Sequence, residues 1–183
     1  MARINPLTKD EVSGTAAEQW SAVEGKIGKV PNLLATLAHS PAALGFYLNN
    51  GAALENASIS AGLREQIALV VAGVNQCGYC ASAHTAIGKM VGVDEAELGK
   101  NLRGESGDAK VLAALDFSKA IVEKRGWASD ADLQAVREAG YTDGEVLEIV
   151  ATVVANIFTN YANHVIETEN DFPKVELPAA AGV

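Results

Sequence analysis

The sequence predicts an all-α fold, a single-domain helical bundle of about seven or eight helices. Three observations carry this. Apolar residues recur with the 3.6-residue period over several segments. Residues that start helices stand at the heads of those segments. No stretch alternates apolar and polar side chains as a half-buried strand would. Composition agrees, with 49% hydrophobic and 20% charged residues, the balance of a chain that folds around a core. Five prolines and 5% aromatics, with frequent Ala and Val, favour helices over a β-sandwich. A length of 183 residues fits one domain, 1–183, with a sizeable core.

The elements follow in order. Val30-Pro31 interrupts the first helical pattern. Ser40 is placed to cap the next helix, with Pro41 at its first position. Ser60 caps a third, whose apolar positions are Leu63, Ile67, Val70, Val71 and Val74. A helix start falls near Gly78, and "LRGESGD" reads as a polar loop. Ser129 opens a helix that stops at Gly140. Thr142 and Glu145 form a capping-box pair before the longest periodic run, from Val146 to Val165. Phe172-Pro173 closes the pattern. Trp20 and Trp127 read as packing residues, one near each end of the core.

The net charge of −9, without any Lys/Arg cluster, argues against nucleic acid and anionic membranes as partners. The opening "MARINPLTKDE" lacks the apolar core of a signal peptide. The stretch "EIVATVVANIF" falls short of the roughly 20 residues a bilayer requires. A soluble cytoplasmic protein is expected. There a cysteine pair is more often catalytic or metal-binding than a structural disulfide.

Both cysteines and one of three histidines lie within "VNQCGYCASAH". A metal site, a redox pair, a disulfide and coincidence make different demands. Cys77 and Cys80, at C-x-x-C spacing, can close a small disulfide ring and so cycle between dithiol and disulfide. A helix starting near Gly78 places its positive end against a thiolate. His84 lies one turn beyond Cys80 on the same face and can take the thiol proton. Cys80 is therefore the candidate reactive thiol and Cys77 the resolving one. Zinc normally takes four ligands; only His39 and His164 remain, and there is no second C-x-x-C. No metal and no organic cofactor are expected. The Glu65-to-His84 spacing of 19 residues also recurs from Glu145 to His164. Either a duplication or the shared composition of two amphipathic helices gives this echo.

The segment "REQIALVVAGVNQCGYCASAHTAIGKMVG" resembles the active-site segment of the alkylhydroperoxidase D-like proteins of the carboxymuconolactone decarboxylase superfamily. "GKVPNLLATLAHSPAALGFY" resembles the family's opening helices. "NIFTNYANHVIETENDFP" resembles the closing helix of the peroxidase-related branch. The resemblance spans roughly residues 25 to 173. It implies that Cys80 attacks a peroxide oxygen, that Cys77 closes the disulfide, and that His84 and Glu65 form the proton relay. Tyr79 stands where the best-studied branch has a second histidine. With a reference pKa of about 10 it can donate a hydrogen bond but is a poor base at neutral pH. From spacing alone, Glu65 and His84 sit about 15 and 10 Å from a turn near Gln76, so they meet only if the helices cross or the turn is displaced. Without that, Glu65 is an exposed first-turn acid. His164, after "NYAN", is either a pocket or interface residue or a satisfied polar group at a helix end.

The resemblance further implies a homo-oligomer, trimer or hexamer, in keeping with an Ala/Val-rich surface. The expected activity is a thiol-dependent peroxidase or disulfide reductase, with a hydroperoxide substrate and an unidentified thiol reductant. Two rivals remain: a lactone-processing decarboxylase, which needs no thiols, and a redox sensor that oxidises once without turnover.

Overall fold

The structure, a computed structural model, describes residues 2–179; Met1 and residues 180–183 of the expected domain lie outside the described residues. Among the described residues there is no strand. A short 3-10 turn, Lys9–Glu11, precedes nine α-helices: α1 Gly14–Ile27, α2 Asn32–Leu37, α3 Pro41–Leu54, α4 Ala61–Val74, α5 Gly78–Met90, α6 Glu95–Asn101, α7 Ala109–Glu123, α8 Asp130–Glu138 and α9 Asp143–Ile166. The expected seven or eight become nine because α2 and α6 run for only six and seven residues. Helices that short show no period in sequence. The caps lie where the sequence placed them. Ser40, Ser60, Ser129 and Thr142 each accept a backbone N–H from the third residue of their helix, an arrangement that contributes about 1 kcal/mol per cap.

α4 is buried on all sides from Gln66 to Gly73. A helix apolar all round belongs at the centre of a bundle, and α4 packs against α5, α6, α7 and α9. It divides the interior in two. On one side lie Ile59, Ile67, Val70, Leu115, Val136, Ile149 and Val153. On the other lie Trp20, Leu33, Leu34, Leu44, Leu69, Leu98 and both cysteines. Gly73 allows the closest approach: a Cβ there would sit 2.1 Å from the Leu102 carbonyl oxygen, so any other residue would push the end of α6 away from α4.

α9, 24 residues, is the one described helix long and apolar enough to cross a membrane by length and composition. The run visible in sequence was shorter. Its inner face packs on α3, α4, α5, α7 and α8, as a core helix does. The two interruptions of the sequence pattern meet in space. Lys29 and Asn32 hydrogen-bond to Asp171 and Glu169, holding residues 169–172 against the start of α2. Trp20 is buried as expected, but Trp127 is 85% exposed. It lies in the α7–α8 loop, where no element covers it.

Candidate active site

The turn from α4 to α5 sets the register of the site. Gln76 takes the left-handed conformation, φ 55°. Its N–H donates to the Gly73 carbonyl, and the Cys77 N–H donates to the Ala72 carbonyl at 2.9 Å. These two bonds make a Schellman cap, with glutamine where glycine is usual. The left-handed backbone costs about 1–2 kcal/mol. The Gln76 amide offsets part of this by a further bond to the Gly73 carbonyl at 2.8 Å. The cap hooks Cys77 back beside Ala72, so α5 begins there rather than beyond Val74. Glu65 lies seven residues before Ala72 and His84 seven residues after Cys77. Seven residues are two turns, about 10 Å, so the two side chains arrive at one level on facing sides. Glu65 Oε2 and His84 Nδ1 are 2.7 Å apart. The turn is displaced as the meeting required, and Glu65, the fifth residue of α4, is neither in the first turn nor exposed.

Both cysteines are free thiols, 1% and 2% exposed. Cys77 caps α5: its sulfur accepts the Cys80 N–H at 3.4 Å. Asn163 Nδ2 from α9 donates to Cys80 Sγ at 3.2 Å. The two thiols share a proton unequally. A hydrogen bond from the Cys77 thiol, working against burial, brings Cys80 down to about 6; the His84 charge and the amides of Asn163 and Asn160 act in the same direction. The same shared bond, followed by burial, pushes Cys77 strongly up. Burial disfavours the His84 cation, but the Glu65 carboxylate outweighs it by charge and hydrogen bond, and the histidine is raised above its ordinary value. With Nδ1–H donated to Glu65, Nε2 is left as the atom that holds or releases a proton.

Tyr79 follows another path. Its hydroxyl donates to Asp171 Oδ1 at 2.8 Å and accepts the Leu33 N–H at 3.3 Å. Burial, foremost, holds its ionisation far above the ordinary tyrosine value. The Phe172 ring packs edge-on against it at 5.6 Å. Tyr79 thus ties the C-terminal segment across the site.

A cavity of about 650 Å³ opens onto Cys80, Glu65 and His84. Tyr47, Leu33, Leu34, Phe158 and Phe172 give it a largely apolar wall. His164 does not line it; that residue borders a smaller cleft beside Cys77. Among the described residues no three His, Cys, Asp or Glu side chains gather as a metal site.

Sequence reasoning missed the α9 contribution to the thiols. Asn156, Thr159, Asn160 and Asn163 are buried on one face of an otherwise apolar helix. Their i, i+3, i+4, i+7 spacing was the available signal. Buried amides require partners. Asn160 Oδ1 accepts from Asn75 at 3.0 Å, and Asn163 finds Cys80.

Residues 41–123 match the model of the Carboxymuconolactone decarboxylase family. That span includes Glu65, both cysteines and His84, and ends before α9. Several solved structures share the fold. An uncharacterized peroxidase-related protein from Silicibacter sp. TM1040 aligns with a TM-score of 0.80 at 23% identity, over 91% of this chain and 92% of that one. The alkylhydroperoxidase AhpD core, an uncharacterized peroxidase-related protein from Ralstonia eutropha JMP134, gives 0.82 at 24%, over 92% and 93%. The debrominase Bmp8 gives 0.79 at 17%, over 92% of each chain. A cysteine-to-alanine variant of that debrominase is known in complex with 2,3,4-tribromopyrrole. No curated protein matches the chain.

Proposed function

We propose that the chain, whose residues 41–123 match the Carboxymuconolactone decarboxylase family and which has the alkylhydroperoxidase D-like fold, is a member of that superfamily and a thiol-dependent peroxidase. The single observation that carries this reading is the Cys80 sulfur. Its pKa is lowered to about 6 by the hydrogen bond from Cys77, with the His84 charge and the Asn163 amide acting in the same direction, and it lies beside an apolar cavity.

In the proposed cycle, the Cys80 thiolate attacks the terminal oxygen of a hydroperoxide with an apolar body. The O–O bond breaks, Cys80 becomes a sulfenic acid, and the alkoxide takes a proton from His84 to leave as an alcohol. Cys77 then attacks the Cys80 sulfur. The disulfide forms, and the hydroxide leaves as water with the Cys77 proton. A dithiol restores the pair. The cytoplasm, where thiol reductants are abundant, suits this cycle.

Turnover of cumene hydroperoxide with excess dithiothreitol tests the reading. One alcohol should appear per dithiol oxidised, and none with Cys80→Ser. No dithiol-dependent peroxide consumption, or a single oxidation without recycling, would overturn it in favour of a redox sensor.

The aromatic wall of the cavity favours one second reading, a halogenated aromatic as substrate. The same dithiol would then release a halide and a proton, replace the carbon–halogen bond by carbon–hydrogen, and end as the disulfide. Incubation with a brominated pyrrole and dithiothreitol separates the two readings by free bromide.

The reading includes self-association. Leu147, Val154, Tyr161 and Val165 stand exposed on α9 at helical spacing. A second copy of this chain is the expected cover, and light scattering should give a mass well above 19.0 kDa.

A further inference from the structure

The two thiols open onto different spaces. The large apolar cavity is lined by Cys80 and not by Cys77. A second cleft, about 330 Å³, is lined by Cys77 and not by Cys80. Tyr79 borders both and stands between them. The second cleft differs in character. Around Cys77 and Gly78 it gathers Asn163, His164, Glu167 and Thr168, from the last turn of α9 and the residues just after it. Two of its polar atoms, Asn163 Oδ1 and Thr168 Oγ1, are buried without a hydrogen-bond partner. Asn163 itself is only 4% exposed.

We propose that the cleft beside Cys77 is the port through which a small, slender dithiol reductant reaches the oxidised protein. This rests on the peroxidase reading only for the name of the oxidant; the disulfide itself suffices for the chemistry. An incoming thiol loses its proton to His164 at the exposed rim, and its thiolate attacks Cys77 Sγ. The Cys77–Cys80 bond breaks, and the electron pair leaves on Cys80, the better leaving sulfur because its thiolate is stabilised. A mixed disulfide now joins the reductant to Cys77. The second thiol of the reductant attacks the reductant sulfur, and Cys77 departs and takes up a proton. The dithiol ends as a cyclic disulfide, and both protein thiols are restored. A substrate can thus occupy the apolar cavity without competing with the reductant. A cleft of about 330 Å³ has room for a small dithiol.

The test isolates the reductive half-reaction. Disulfide protein is prepared with diamide, without any peroxide, and its reduction by dithiothreitol is followed by rapid quench and alkylation. Thr168→Leu, which fills the cleft, should slow reduction about tenfold or more, since exchange depends on access. It should leave oxidation of the dithiol protein within about twofold, since Thr168 does not line the cavity onto which Cys80 opens. His164→Ala, on the exposed rim, serves as a second variant and should slow reduction alone. A monothiol, 2-mercaptoethanol, should be trapped on Cys77. Adduct on Cys80, or reduction unchanged in both variants, would overturn the proposal. Cleft-dependent reduction in a protein that consumes no peroxide would uphold it while removing the peroxidase reading.

Discussion

Cys77 and Cys80 stand in the same turn of the same helix, yet their surroundings drive them apart. Cys80 faces the apolar cavity, receives an amide from α9 and lies one turn from the His84–Glu65 pair. Cys77 caps the helix with its sulfur and faces the polar cleft. Burial alone cannot separate them, since both are nearly inaccessible. The difference comes from what α4 and α9 bring to each sulfur. In the proposed cycle, a C-x-x-C pair thus takes its attacker and its resolver from its neighbours in space.

The largest expected effect removes one member of the pair. Cys80→Ser should abolish oxidation by peroxide. Cys77→Ser should consume about one equivalent and stop as a sulfenic acid. Mass spectrometry of the peptide spanning both residues checks this; oxidation of Cys77 alone in Cys80→Ser would reverse the assignment.

Next is the charge support of Cys80. In the intact protein its thiolate fraction rises as pH increases through about 6, so oxidation should be half-maximal there and level at neutral pH. His84→Ala moves the midpoint upward, toward about 8.5. Since a thiol of that pKa is only about 3% ionised at pH 7, the ceiling on the loss is roughly thirtyfold. The hydrogen bond from Cys77 remains, so the loss should fall below that ceiling. Asn163→Leu removes one amide donor and should raise the midpoint by about one pH unit. Stopped-flow oxidation across pH reads both variants, and an unmoved Asn163→Leu profile would show that the amide is only packing.

Smaller effects sharpen the outer layer. Glu65→Gln acts through His84. It should lower the histidine's pKa, because the carboxylate is what raises it, and shift the Cys80 profile in the same direction as His84→Ala but less. NMR titration of the His84 ring checks the sign. Tyr79→Phe should leave the Cys80 profile in place, because its hydroxyl is committed to Asp171 and the Leu33 N–H. A large loss of peroxide turnover with Tyr79→Phe would instead give the phenol a part in the relay.

Much of the fold was legible because caps and apolar periods are local. The Ser and Thr caps were readable, while α2 and α6 were too short to show a pattern. The site was harder, and two equal spacings show why. Glu65 and His84 are 19 residues apart, as are Glu145 and His164. The first pair meets because Gln76 turns left-handed and hooks Cys77 back to Ala72. The second lies along one unbroken helix, so its members are about 28 Å apart. Glu145 bonds to its own cap at Thr142, and His164 borders the Cys77 cleft. The spacing is the same, and the turn decides. A glutamine in the left-handed region has no clear signature in sequence, unlike glycine. The Asn163 bond to Cys80 crosses 83 positions and is likewise invisible locally. Its trace was the buried polar stripe on α9.

The central claim is that Cys80 is the reactive thiolate. Its most direct test is the rate of iodoacetamide alkylation against pH in the two single-cysteine proteins. Serine is used at the removed position because it retains a hydroxyl donor. With Cys77→Ser, the remaining Cys80 should react with a midpoint well below the ordinary thiol value and be the faster of the two at pH 7. With Cys80→Ser, the remaining Cys77 should gain reactivity only in the alkaline range. A Cys77 that outpaces Cys80 at pH 7 would contradict the account.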